Sequence, residues 1–434
     1  MPAAGSGGEQ GWMGGACFGF SLRDRMGVIT PEVDDRVGWF QSVDEIRRTL
    51  AFSLQSEVSV SPLLAPIAAV CGSMFTPLMA DGGQFARIVE SLERNLLTPI
   101  PLCFLLGIIC TRIHGGIKIP KELYYSIAIF LLMSIGFIGG HELAHEVQAH
   151  GVSTIWKPAL VTLFLGCLTP ITAFVVLRYL GGMSIADSAG IAAHYGSTSA
   201  VTYAVANSFV EQTQHPANEF LPTLVTLLEC PGIAIALVLG AFLSAKERAA
   251  KAATGAPGRP VKSSKLGEAL YEVMTGQSIM LMAGLLVIGF VSTQFMDEKG
   301  FQPFYDFFQS KGMLFRGLLC IFLLEMGLVA GERLGDLVKV GPFLIAFGIL
   351  MPLVHGFLGA WFGHLAGLNL GGCTVLAAIV SSASYIAAPP AVRLTLPEAN
   401  PTYSITAALA ITFPFNIAFG IPIYFEMAKW VGAQ

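Results

Sequence analysis

Charge is what this chain of 434 residues has least of. Asp, Glu, Lys and Arg together make up 12% of it, about half the ~25% usual in soluble domains. The formal net charge is only −4. Such a small balance gives no basic surface for nucleic acid, so no nucleic-acid partner is expected. The eight cysteines sit mostly inside apolar runs, and none forms a C-x-x-C pair. A disulfide framework or a cysteine-based zinc site is therefore not expected, and Cys17, Cys71, Cys103, Cys110, Cys167, Cys230, Cys320 and Cys373 read as small packing residues. No G-x-x-x-x-G-K-[ST] loop occurs, which argues against ATP-driven chemistry by this chain alone.

What is abundant is apolar sequence. Hydrophobic residues reach 54%, and the mean hydropathy is +0.66. A membrane helix needs ~20 mostly apolar residues. On that basis ten spans are expected, at 96–113, 122–140, 157–179, 185–208, 219–244, 274–294, 312–331, 341–366, 371–392 and 403–430. The expected fold class is an all-α integral membrane protein held in a lipid bilayer. A basic stretch, 245–270, separates the fifth span from the sixth. It carries Lys246, Arg248, Lys251, Arg259, Lys262 and Lys265 against Glu247 and Glu268. The domains are then an N-terminal extension (1–95), a first five-span half (96–244), a basic cytoplasmic linker (245–273) and a second half (274–434).

The halves repeat each other across about 185 residues. Residues 182–199 read GMSIADSAGIAAHYGSTS, and residues 367–384 read GLNLGGCTVLAAIVSSAS. Gly182 pairs with Gly367, Ala192 and Ala193 with Ala377 and Ala378, Ser197 with Ser382, and Ser199 with Ser384. A second echo joins IGFIGGHEL at 135–143 to MGLVAGERL at 326–334. An odd number of spans per half makes the second copy inverted in the membrane, with broken helices meeting at the interface. Positive charge sets the orientation. Arg112, Lys118 and Lys121, and the linker, face the cytoplasm; the loop at 209–219, with Glu211 and Glu219, faces out.

Residues 1–95 are Gly-rich, then of mixed charge, with an apolar stretch at 58–80 interrupted by Pro62, Pro66 and Pro77. They read either as a targeting segment or as an extra membrane segment. The first choice places the protein in a plastid envelope, the second leaves the cell membrane.

Each repeat ends in small hydroxyl residues: Gly196, Ser197, Thr198 and Ser199 in the first copy, Ser381, Ser382 and Ser384 in the second. Interrupting a helix at mid-membrane frees N–H and C=O groups, which is tolerated where they line a cavity. A half-helix N-terminus suits a small anion, and freed carbonyls suit Na⁺. The substrate set is thus Gly196, Ser197, Thr198, Ser199, Ser381, Ser382 and Ser384. The cation set is Glu229, Ser197, Ser384 and Tyr385. Glu229 enters because an ionisable group deep in a span, just before Pro231, marks a functional site by default. His194 reads as a hydrogen-bonded structural residue. His141-Glu142-Leu143-Ala144-His145 matches the H-E-x-x-H zinc motif. An intramembrane metalloprotease is the alternative it raises. Its place at the outer end of span two, and the absence of histidine from its repeat partner at 332–336, favour a solvated helix end instead.

The motifs together resemble the cyanobacterial-type sodium-dependent bicarbonate transporter family. The likeness is carried by Ser381-Ser382-x-Ser384, Pro389-Pro390, Arg393, Pro397 and Ala399-Asn400-Pro401. It extends to Ile119-Pro120-Lys121-Glu122, Gly196-Ser197-Thr198, Glu229-x-Pro231, Arg316-Gly317-Leu318-Leu319 and His355-Gly356-Phe357. It covers roughly 340 of the 434 residues. The resemblance implies a homotrimer that binds HCO₃⁻ and Na⁺ where spans four and nine cross, with Na⁺ as coupling ion and no other cofactor. It also implies a soluble PII-like regulatory protein on the cytoplasmic side. The family commonly has an aspartate where this chain has Tyr385, and serines where it has Ala383 and Tyr195. Bicarbonate uptake with Na⁺ is the expected function; a different small anion, or uptake without Na⁺, is the variant that Tyr385 raises.

Overall fold

The computed structural model describes residues 96–113, 117–229, 231–253, 266–309 and 312–433. The expected roles of residues 1–95 and of the middle of the basic linker lie outside the described residues. The described residues are mostly helical, with no strand among them, as an all-α membrane protein requires.

In chain order the helices are α1 (Pro99–Arg112), α2 (Lys121–His150), α3 (Trp156–Val175), α4 (Ile185–Tyr195), α5 (Ala200–Gln212), α6 (Leu221–Glu229) and α7 (Pro231–Ala253). Then follow α8 (Leu266–Met274), α9 (Gln277–Phe295), α10 (Glu298–Phe308), α11 (Met313–Arg333) and α12 (Leu337–Leu365). Last come α13 (Leu370–Val380), α14 (Ala388–Thr395), α15 (Pro401–Ile405), α16 (Phe413–Phe415) and α17 (Ile421–Trp430). Among the described residues, six stretches are long and apolar enough to cross a membrane by length and composition. The hydrogen bonds lost to a proline explain several departures from regular helix. Pro231 opens α7 directly after α6, and Gly341 with φ 77°, followed by Pro342, bends α12. Around Pro414 and Pro422 the chain widens into π turns at Thr406–Thr412 and Asn416–Gly420.

Two of the helix crossings that need glycine pair the two halves. Gly107 of α1 meets Gly327 of α11, and a Cβ on either would strike the other helix's backbone. Gly140 of α2 and Gly289 of α9 do the same. Small residues that let backbones approach replace the hydrophobic drive that lipid cannot supply.

The helices add three features to the sequence reading. The stretch expected as a soluble linker is partly helical: α7 runs to Ala253 and α8 begins at Leu266. An amphipathic helix, α10, lies between spans six and seven and was not anticipated. Its Phe301 is buried against α2, stacked on Phe137 at 5.3 Å. The zinc-like motif lies short of the helix end, with His145 exposed and His141 partly covered. α2 continues to His150, His141 is half-buried, and its ring stacks on Phe301 at 4.1 Å while Nδ1 lies 2.8 Å from the Thr293 hydroxyl.

Candidate substrate crossing

The first hydroxyl cluster is the gap between α4 and α5; the second is the gap between α13 and α14. Both gaps are buried and they touch. The Ser384 N–H donates to the His194 carbonyl at 2.8 Å, and His194 Nδ1 lies 2.6 Å from the Ser384 carbonyl. Ser199 N–H donates to Ser382 Oγ at 2.8 Å, and Ser382 Oγ donates in turn to the Ile379 carbonyl at 2.7 Å. Thr198 Oγ1 is 3.5 Å from Ser382 Oγ. The cluster is braced from behind: Asn416 donates to the Ser381 carbonyl at 3.2 Å and accepts from Tyr424 at 2.7 Å.

One cavity opens at this crossing. Its polar wall is Thr198, Ser199, Glu229, Ser278, Ser384 and Tyr385, and the apolar remainder includes Leu131, Leu132 and Phe322. Ala200 and Val201, the first two residues of α5, also line it. The first N–H groups of a helix have no intrahelical acceptor, and the dipole is positive there. Ser199 caps this helix through Thr202 N–H at 3.3 Å. The start of α14 differs. Pro389 and Pro390 follow Ala388, so two of its first N–H groups are missing.

Of the residues expected to bind substrate, Thr198, Ser199 and Ser384 reach the cavity wall. Gly196, Ser197, Ser381 and Ser382 stand behind it. Gly196 is needed for packing, because the backbone of Gly232 in α7 passes directly against it. Ser381 and Ser382 give their hydroxyl protons to the carbonyls of Ala378 and Ile379, which leaves neither a proton for a ligand. Ser197 is buried with its hydroxyl unpartnered among the described residues.

Of the cation set, Glu229, Ser384 and Tyr385 share the cavity. Glu229 is 5% exposed, and its Oε2 has no hydrogen-bond partner among the described residues. A buried carboxylate without a partner is unfavourable unless a cation or a proton joins it. The Tyr385 ring packs edge-on against Phe413, with centroids 5.7 Å apart. Tyr195 points elsewhere: its hydroxyl is 2.6 Å from Thr412 Oγ1, in the core behind the crossing. Ser278 was missed by sequence reading. Its only signal was a hydroxyl at the start of an otherwise apolar run.

The cavity shares Ala128, Leu132, Ser278, Tyr385 and Ile386 with a larger one, whose charged wall residues are Glu325, Arg333 and Arg393. A separate cavity is lined by Glu142, Glu211 and Glu219 and has no wall residue in common with the central one. The crossing thus adjoins the cavity that holds Arg333 and Arg393 and has no wall residue in common with the acidic one.

An apolar chain, mostly helical in its described residues, whose broken helices meet at a small cavity with a few polar groups defines a multi-pass membrane transport protein. The family can be stated as well: the chain belongs to the Na⁺-dependent bicarbonate transporter superfamily, whose family model matches residues 99–429. A search of the curated proteins finds no match. Membership makes the chain a transporter and not an enzyme. Nothing found supports the protease alternative; among the described residues, no three His, Cys, Asp or Glu side chains are grouped to hold a metal.

Proposed function

We propose that the chain takes up bicarbonate by symport with Na⁺ through the crossing of α4–α5 and α13–α14. The observation that carries this reading is the content of one cavity. The N-terminus of α5 and the hydroxyls of Thr198, Ser199 and Ser384 suit a small oxyanion, while the unpartnered Glu229 carboxylate suits a cation beside it. Anion and cation then neutralise each other in a site that water leaves as it closes.

The two halves act as inverted five-span repeats. Supporting this, α1 packs on α11 and α2 packs on α9, two pairings that exchange when the halves are exchanged. The basic linker sets the inside, so the cavity is open inward. Homotrimer assembly, a PII-like partner at the cytoplasmic face, and residence in a cell membrane or plastid envelope rest on the family resemblance and the unassigned front segment. Tyr385 favours a second reading of the coupling alone: a phenol offers a dipole where a carboxylate offers a full charge, so Na⁺ drive is weaker.

The experiment is radiolabelled bicarbonate uptake in a host lacking its own system, with Na⁺ replaced by K⁺ or choline. Uptake that needs Na⁺ supports symport. Uptake indifferent to the cation leaves bicarbonate transport without Na⁺ coupling. No uptake under any cation removes bicarbonate as substrate.

A further inference from the structure

A second pocket borders the crossing at His194 and shares no wall residue with the central cavity. Its polar wall is His194, Arg393 and Ser404, and it contains no Asp or Glu. Pro389, Arg393 and Ile405 belong both to it and to the larger inward cavity, so Arg393 stands between the two.

His194 is fully buried. Its Nδ1 faces a carbonyl, which can only accept, so Nδ1 carries the hydrogen and Nε2 of the neutral ring is a lone pair. That Nε2 has no partner among the described residues. Arg393 is exposed, with no ion pair to any described residue. The pocket therefore combines a free guanidinium, which only donates, with a buried acceptor. A ligand that satisfies both must be an anion that still carries a hydroxyl hydrogen. Bicarbonate and dihydrogen phosphate qualify. Nitrate, with the same planar oxygens and no hydrogen, does not.

We propose that this pocket is a second, inner binding site for a hydroxyl-bearing oxyanion, held by Arg393 and by His194 Nε2. That the physiological occupant is bicarbonate rests on the transport reading above. His194 also grips Ser384 through two hydrogen bonds, its carbonyl at 2.8 Å and its Nδ1 at 2.6 Å. Loading the inner site thus acts on the crossing itself, and anion accumulated inside slows further uptake.

The test places a reporter thiol in the wall, Ile405→Cys, in the full-length protein. Its labelling by a small thiol reagent is followed by peptide mass spectrometry in sodium bicarbonate, inorganic phosphate or nitrate. Pro397→Cys serves where Ile405→Cys does not express. Only the free fraction reacts, so bicarbonate at about ten times its Kd slows labelling about tenfold. Phosphate does the same and nitrate does not. Arg393→Gln removes the protection, and Arg393→Lys keeps part of it. A labelling rate unmoved by bicarbonate and phosphate overturns the site, as does equal protection by nitrate or protection that survives Arg393→Gln. The two readings separate cleanly. Protection without uptake leaves the inner site standing and removes bicarbonate transport; uptake without protection removes only the inner site.

Discussion

The two crossings are built from matching sequence and close differently. In the second copy the Ser384 N–H reaches the His194 carbonyl directly, at 2.8 Å. The matching link in the first copy runs from Ser199 N–H toward Ile379, the residue that corresponds to His194. There a hydroxyl has been inserted, so that Ser199 donates to Ser382 Oγ and Ser382 donates to the Ile379 carbonyl. The helices beyond also differ. α5 begins Ala200-Val201, which line the cavity and keep their N–H groups; α14 begins Ala388-Pro389-Pro390 and lacks two of them. One sequence pattern thus carries two different hydrogen-bond arrangements. On the proposed function, donors for the anion concentrate in the first copy, while the second contributes oxygens and proline-fixed geometry.

The sharpest way to break that comparison is to remove its hydroxyls. Thr198→Ala with Ser384→Ala deletes one from each copy at the cavity wall. A hydrogen bond to a charged ligand is worth ~1.5–3 kcal/mol, so the pair lowers apparent bicarbonate affinity by roughly two to four decades. Uptake against bicarbonate concentration measures it, with membrane expression as control. Near-normal uptake would remove the crossing as the site.

The inserted hydroxyl gives a second test, of stability. Ser382→Ala leaves the buried Ser199 N–H unpaired, at ~1–3 kcal/mol, while the Ile379 carbonyl keeps the Ser382 N–H at 3.3 Å. Ser197→Ala, at the matching position, removes a hydroxyl that pairs with nothing described and leaves stability within ~0.5 kcal/mol. Thermal unfolding in detergent compares them. Equal shifts in the two variants contradict the relay.

Coupling comes next. Tyr385→Asp adds a carboxylate beside Glu229 in the cavity wall. Half-activation by Na⁺ moves to lower concentration, because a carboxylate gives a nearby cation a full opposite charge in a medium of low dielectric. The measurement is uptake against Na⁺ at fixed pH. A curve left in place takes Tyr385 out of the cation's reach.

The smallest effect is expected far from the crossing. His141→Ala with His145→Ala loosens the stack on Phe301 and leaves bicarbonate uptake unchanged. Loss of uptake in this variant would show that the outer end of α2 shares in transport.

The helical class and the two helix breaks were legible in the sequence because each has a strong local cause. Apolar runs of membrane length leave helix as the structure that satisfies the backbone, and clusters of small residues and proline mark where it stops. The identity of the cavity-lining residues was not legible to the same degree. Ser197 and Ser382 sit at matching positions and have the same side chain, yet one is unpartnered and the other is a relay. Which one binds depends on rotamer and on what lies opposite, and neither is written in the repeat. Tyr195 shows the same limit: at a position where the resembled family has a serine, its ring turns back to Thr412. Ser278 and α10 escaped because a lone serine and a short amphipathic segment leave only weak signals among long apolar runs.

The most direct measurement is Na⁺-activated bicarbonate uptake into proteoliposomes by the wild type and by Glu229→Gln. Glutamine keeps the shape of the side chain and removes its charge. The account predicts that wild-type uptake rises with Na⁺ and falls away in choline. It predicts that Glu229→Gln retains only slow uptake, the same in Na⁺ and in choline. A Glu229→Gln protein with the wild-type Na⁺ curve would contradict the assignment of anion and cation to one shared cavity.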